Sequence, residues 1–381
     1  MNNQEGMNFL LNLLRLMLAR KASDLFLTSG FPPALKVDGR VTPLGNGPLA
    51  GDQTEVLAAA LMNERQAEEF RRTHECNFAV APEGIGRFRV NAFVQQGQVA
   101  LVLRTIATRI PALDDLKLPP ILKDVAMARR GLVVFVGGTG SGKSTSLAAM
   151  VGHRNQRAQD HIITIEDPIE FVHQHGRCVV SQREIGVDTD NWHAALKNTL
   201  RQAPDVILIG EIRDKETMEY ALAFAETGHL CLSTLHANNA NQALDRIIHF
   251  FPEERRQQTL MDLSLNLRAF VSQRLVAHRD GPGRVAAVEV MLNSPLVSDL
   301  IFKGEVHELK SVMARSREIG MQTFDQSLFD LHEADLISYE DALRHADSVN
   351  DVRLRIKLEG KAAASTSLIR NAAVNNLQIM P

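Results

Sequence analysis

The run Gly137-Gly138-Thr139-Gly140-Ser141-Gly142-Lys143-Ser144-Thr145 can hold a nucleoside triphosphate. The glycines let backbone N–H groups curl around a polyphosphate, Lys143 can reach the β and γ phosphates, and the Ser144 hydroxyl can hold Mg²⁺. Such a loop works only between a buried strand and a helix whose dipole faces the anion. Both flanks are present: Leu132-Val-Val-Phe-Val136 reads as the strand, and Thr145-Ser-Leu-Ala-Ala-Met150 opens the helix.

Two further apolar runs end in acids. Residues 162–165 lead into Glu166-Asp167-Pro168-Ile169-Glu170, where Pro168, lacking an N–H, closes the strand. Residues 206–209 lead into Gly210-Glu211, an acid placed to bind Mg²⁺ through water or to orient an attacking water. Cleavage of a γ-phosphate needs charge neutralisation, an in-line water and an acceptor for its proton. Lys143 and Mg²⁺ meet the first need, and Glu170 or Glu211 the others. A fourth run, 229–235, is bracketed by His229 and His236.

The elements that must position these groups follow from patterning. Apolar strands alternate with helical segments from residue 121 onward, which predicts an α/β fold with a parallel sheet and chemistry at its carboxyl edge. Residues 1–107 read instead as a small α+β domain. Strands are expected at 24–28, 34–37, 40–42, 86–94 and 98–106, with an Asp38-Gly39 hairpin and one helix from a cap at Asp52 to about Arg72. Near the start, Leu10, Leu13, Leu14, Met17 and Leu18 mark an amphipathic helix that packs on a core rather than on a membrane surface. Three prolines place a linker at 108–120, and the ATPase domain then runs over 121–358. From Pro252 the pattern is mostly helical with one hairpin around Gly281-Pro-Gly283, and 359–381 reads as a flexible tail.

Composition narrows the function. At 381 residues the chain is long enough for two domains, and its 45% apolar and 23% charged residues are ordinary for a globular protein. A net charge of -3, one Trp and two Tyr offer no basic, aromatic surface for nucleic acid, so none is expected as a partner. Three cysteines without a Cys-x-x-Cys pair fit a reducing compartment and exclude a four-cysteine zinc module. The apolar stretch 9–18 is too short and too interrupted to span a bilayer, so a cytoplasmic protein is expected.

Five ordered strings carry a resemblance. They are the glycine loop, Ile163-Thr-Ile-Glu-Asp-Pro-Ile-Glu-Phe-Val-His173, Gln182-Arg-Glu-Ile-Gly186, Ile209-Gly-Glu-Ile-Arg-Asp214 and Thr227-Gly-His-Leu-Cys-Leu-Ser-Thr-Leu-His236. Together they resemble the secretion ATPase superfamily in its type IV pilus retraction branch, the PilT/PilU group of twitching-motility motors. The likeness extends from about Lys21 to Leu358. It implies a homo-hexameric ring in which each subunit joins an N-terminal PAS-like domain to a RecA-like P-loop ATPase domain, using ATP and Mg²⁺. By position it implies that Glu170 is the catalytic glutamate, Glu211 the Walker B acid, and His229 and His236 the histidine box. It also implies that Arg89 and Arg104, which their own sequence context would read as solvated strand residues, approach the γ-phosphate as arginine fingers.

The strings Glu305-Val-His-Glu-Leu-Lys, Ser316-Arg-Glu-Ile-Gly-Met-Gln-Thr-Phe-Asp-Gln326 and Ile337-Ser-Tyr-Glu-Asp-Ala342 resemble the PilU side of that group. Where PilT proteins carry Ala-Ile-Arg-Asn-Leu-Ile-Arg-Glu, this chain has Leu296-Val-Ser-Asp-Leu-Ile-Phe-Lys303. That departure implies an accessory motor beside a partner retraction ATPase of the PilT type, docked with it on an inner-membrane platform protein of the pilus. Two other readings compete. A RecA-like ring could translocate nucleic acid, and a nonhydrolysing chain could serve as a nucleotide-gated scaffold for a partner motor. The charge and aromatic content oppose the first, and the intact Lys143, Glu170 and Glu211 oppose the second.

Overall fold

The computed structural model describes residues 2–37, 39–106 and 109–360. Asp38 of the expected hairpin, positions 107–108 at the expected domain boundary, and 361–381 of the expected tail lie outside the described residues. The chain forms two compact units. The first is Met1–Ile110 with Asp167–His173 and Arg183–Ala194, and the second is Pro111–Glu166 with Gln174–Gln182 and Ala195–Pro381. The first unit is therefore not one continuous stretch, as the boundaries at 107 and 121 had it. Two segments join it because the buried Glu184 carboxylate accepts from the Ile169 N–H at 3.2 Å and lies 3.5 Å from Arg87, while Arg65 donates to the Gly186 carbonyl at 3.1 Å.

A six-stranded antiparallel sheet organises the first unit. Its strands are β1 (Asp24–Thr28), β2 (Ala34–Val37), β3 (Arg40–Pro43), β4 (Glu75–Val80), β5 (Arg87–Gln95) and β6 (Gln98–Ile106), in the order β3-β2-β1-β6-β5-β4. The helix Asn3–Ala19, capped by Asn2 and Glu5, buries Leu10, Leu13, Leu14 and Met17 in that core, with Leu18 half-buried at its margin. The single helix expected over 52–72 is two, Gly51–Leu61 and Glu64–Thr73. The break is chemical: the Asn63 side chain accepts from the Gln66 N–H and the Gln66 side chain from that of Asn63, a capping box that starts a new helix. Ala50, not Asp52, occupies the first N-cap. Strand β4 lacks a long apolar run and escaped the sequence reading.

The second unit is built on a seven-stranded sheet. It contains β7 (Gly131–Val136), β8 (His161–Glu166), β9 (Val179–Glu184), β10 (Val206–Ile209), β11 (Leu230–Leu235), β12 (Leu267–Ala277) and β13 (Arg284–Leu292), in the order β13-β12-β7-β11-β10-β8-β9. β12, β7, β11, β10 and β8 run parallel, and β13 returns antiparallel along β12. Every side chain of β7, β10 and β11 is buried, as expected for strands covered on both faces. The hairpin expected around Gly281-Pro-Gly283 is present, but its arms are strands of 11 and 9 residues that extend the ATPase sheet, where helix was expected. Helices follow from Pro295, and Val276, Val285, Ala287, Phe324, Leu328 and Ile337 form a satellite core beneath them.

Candidate functional site

The loop at 137–142 leaves the carboxyl end of β7 and opens the helix Lys143–Asn155. Gly140 and Gly142 have φ of 76° and 92°, values that a side chain resists, so the turn into the helix depends on glycine. Gly138, Thr139, Gly140 and Ser144 are exposed, Ser141, Gly142 and Thr145 are half-buried, and Lys143 is buried. The Lys143 ammonium donates to the Gly137 and Gly138 carbonyls at 2.7 and 2.9 Å, and among the described residues no acid lies within ion-pair range of it. Burial lowers its pKa, and the negative field of Glu211 opposes that shift. The Ser141 hydroxyl is buried with no hydrogen-bond partner among the described residues. A cation without an anion and a hydroxyl without an acceptor fit a phosphate group.

The parallel order brings two of the expected residues to this loop. β10 and β11 end at the same edge as β7, so Glu211 follows one strand and His236 the other. Thr234 donates from its hydroxyl to the Gly210 carbonyl at 2.7 Å, and the Ile212 N–H donates to the Thr234 carbonyl at 2.9 Å, which pins the Glu211 backbone between the strands. Glu211 contacts His236 Nε2 through Oε1 at 3.2 Å and Arg213 Nε through Oε2 at 2.8 Å. Burial and the Lys143 charge lower the His236 pKa, and Glu211 opposes them. Gly138 and His236 line one cleft with Asn238, Gln242 and Arg246. The donor set suits a divalent cation between the exposed Ser144, whose hydroxyl makes no hydrogen bond among the described residues, and the Glu211 carboxylate.

The structure does not bring His229 to the loop. It precedes β11, so six strand residues, about 20 Å, separate it from the carboxyl edge. Its Nδ1 lies 3.1 Å from the Thr227 hydroxyl and 3.2 Å from the Phe224 carbonyl, and it lines a different cleft with Arg129, Arg130, Arg154, Asp160 and Asp205. Glu170 is exposed on the segment Asp167–His173, which packs within the first unit, and no hydrogen bond or ion pair engages its side chain among the described residues.

Arg89 and Arg104 face each other directly across β5 and β6, on one face of the first sheet. Two opposed guanidiniums repel unless an acid intervenes. The acid is Asp24, buried on β1 opposite Arg104, whose Oδ1 accepts from Arg104 Nε at 2.7 Å. Only Nε is used, so among the described residues no partner engages the outer nitrogens of Arg104, and the half-buried Arg89 makes no hydrogen bond but lies in the field of the Glu184 carboxylate. Sequence reasoning missed Asp24; its signal, a lone acid opening an apolar strand, is weak without the register.

A parallel sheet with a phosphate loop, a buried lysine that no acid pairs with among the described residues, and a strand-end glutamate beside it define an ATPase of the RecA-like class. The family model described as Type II/IV secretion system protein matches residues 34–330. The chain is 62% identical, over 92% of both chains, to the "Type IV pilus ATPase PilU" of Pseudomonas aeruginosa. It is 42% identical to that organism's "Type IV pilus retractation ATPase PilT", over 85% of this chain and 94% of the other. A solved structure of the pilus retraction motor PilT with bound ADP superposes with a TM-score of 0.84 at 38% identity, covering 90% of this chain and 98% of that one. The protein belongs to the PilT/PilU family of type IV pilus ATPases and is an ATP-hydrolysing enzyme.

Proposed function

We propose that this chain is a retraction-side motor of the type IV pilus, working as a homo-hexamer in the cytoplasm at the inner membrane and assisting a partner ATPase of the PilT type on the platform protein. The observation that carries the reading is the convergence of Lys143, Glu211 and His236 on one strand edge, in a chain 62% identical to a named PilU. Lys143 neutralises charge on the β and γ phosphates. Ser144 and Glu211 would hold Mg²⁺, which supplies further charge neutralisation when bound. Glu170 accepts the proton of the attacking water as its oxygen bonds to the γ-phosphorus and the bond to the bridging oxygen of ADP breaks. Glu211, held by His236 and Arg213, keeps that water's surroundings polar and fixed.

Arg104 and Arg89 act as the fingers that sense the γ-phosphate from the first unit. Asp24 holds Arg104 by Nε alone, which leaves its outer nitrogens to meet an anion. Release of the phosphate then changes the angle between domains and moves the ring. Helix Pro295–Lys303, where Leu296 and Phe302 are exposed in place of the charged PilT motif, supports an accessory rather than a self-sufficient role.

The test is pilus retraction in cells lacking this chain, compared with cells carrying Glu170→Gln. Retraction that needs both the protein and its glutamate supports a working motor. Retraction that needs the protein but not Glu170 supports the nucleotide-gated scaffold. ATP turnover stimulated by single-stranded DNA would instead favour a translocase.

A further inference from the structure

The phosphate loop has a neighbour that none of its motifs include. Gln273 lies on β12, the strand beside β7, where the register that sets Ser272 against Val136 carries Gln273 alongside Gly137. Gln273 is 3% exposed, and a buried amide is costly unless it is bonded. Its Oε1 accepts from the Ser146 hydroxyl at 2.8 Å, one turn into the helix that Lys143 opens. Its backbone carbonyl lies 2.7 Å from where a Cβ on Gly137 would sit, and its Nε2 lies 2.5 Å from the corresponding point on Gly142. One residue thus touches both ends of the loop and the helix behind it.

We propose that Gln273 is a positioning residue for ATP, fixing the width of the phosphate loop so that its N–H groups are aimed before nucleotide arrives. The physical reason is entropic. A loop containing four glycines has many conformations, and freezing it on binding costs free energy unless a rigid support has already removed that freedom. The support is itself anchored. The next residue, Arg274, points to the other face of β12, where it donates to the His345 carbonyl at 2.6 Å, pairs with Asp347 at 2.7 Å and stacks 4.0 Å from the Phe324 ring. Loss of Gln273 therefore weakens nucleotide binding and leaves the chemical step alone.

The experiment uses the full chain, a fluorescent ADP analogue for Kd, and steady-state ATPase for KM and kcat. Gln273→Met keeps the length of the side chain and removes both polar atoms. It is expected to raise Kd and KM about tenfold, as for one buried hydrogen bond with its support, with kcat within about twofold. Ser146→Ala is expected to raise Kd in the same direction, and the double variant to bind no more weakly than Gln273→Met, because both delete one shared bond. If Gln273→Met does not fold, Ser146→Ala alone gives the readout. Wild-type Kd and KM in a variant that only melts earlier, or a kcat that falls while KM stays constant, would overturn the proposal.

Discussion

Lys143→Ala probes the phosphate loop most sharply, because the structure sets the size of the effect. Lys143 is 8% exposed, its ammonium donates to two loop carbonyls, and no acid pairs with it among the described residues, so it enters the complex as a largely desolvated cation available to phosphate. A hydrogen bond to a charged group contributes about 1.5–3 kcal/mol, and two such bonds to β and γ oxygens contribute about 3–6 kcal/mol. At about 1.4 kcal/mol per factor of ten, affinity for ATP should fall by roughly 10² to 10⁴. The same substitution frees the Gly137 and Gly138 carbonyls, so the nucleotide-free protein should also lose about 1–3 kcal/mol of stability. Binding of a fluorescent ATP analogue to the full chain, with denaturant melts alongside, measures both. An affinity within threefold of wild type, with turnover retained, would refute the assignment of Lys143 to the phosphates.

Three further outcomes are expected. Burial and Lys143 keep the folded-state His236 pKa below its ordinary value, so His236 is neutral at pH 7 and gains its proton only as pH falls through that depressed value. The unfolded chain takes up that proton more readily, so stability declines as pH drops below the ordinary histidine value. A protonated His236 also tightens on Glu211, so kcat should fall on the same acid limb; His236→Gln should flatten it, and an unchanged limb would count against the pairing. Leu14→Ala should cost about 2–5 kcal/mol in denaturant melts, because Leu14 is fully buried in the first core, whereas a loss under about 1 kcal/mol would favour a helix that lies on a membrane surface. Mixed assemblies of Arg104→Ala and Lys143→Ala chains should regain ATPase activity that neither shows alone, if Arg104 reaches the nucleotide of a neighbouring subunit; no recovery at any mixing ratio would place its action within one chain.

The carboxyl edge of the second sheet was legible because its strands are short, apolar and punctuated. Leu132 to Val136 stops at a glycine, and Val206 to Ile209 stops at Gly210-Glu211, so period and breaker agree. Strands β12 and β13 were not legible as sheet. Ala269-Phe-Val-Ser-Gln is buried throughout and shows no alternation, and only its parallel pairing with β7 decides its state. The helix break at Asn63 was readable in retrospect from Asn-x-x-Gln, a capping signal overlooked within a polar helix. Site residues divide in the same way. Glu211 and His236 were readable as strand ends, whereas His229 sits at the opposite end of β11 from the loop, so its membership of the same motif says nothing of proximity. Asp24 and Gln273 carry no motif, and only register across the two sheets reveals what they hold.

The central claim is that this chain cleaves ATP with Glu170 as the proton acceptor. Single-turnover cleavage by purified full-length Glu170→Gln, quenched in acid, tests it directly. ATP should remain bound at wild-type affinity while the cleavage rate falls by about 10² or more, the usual contribution of a positioned general base. Cleavage within threefold of wild type would contradict that assignment and move the proton to Glu211.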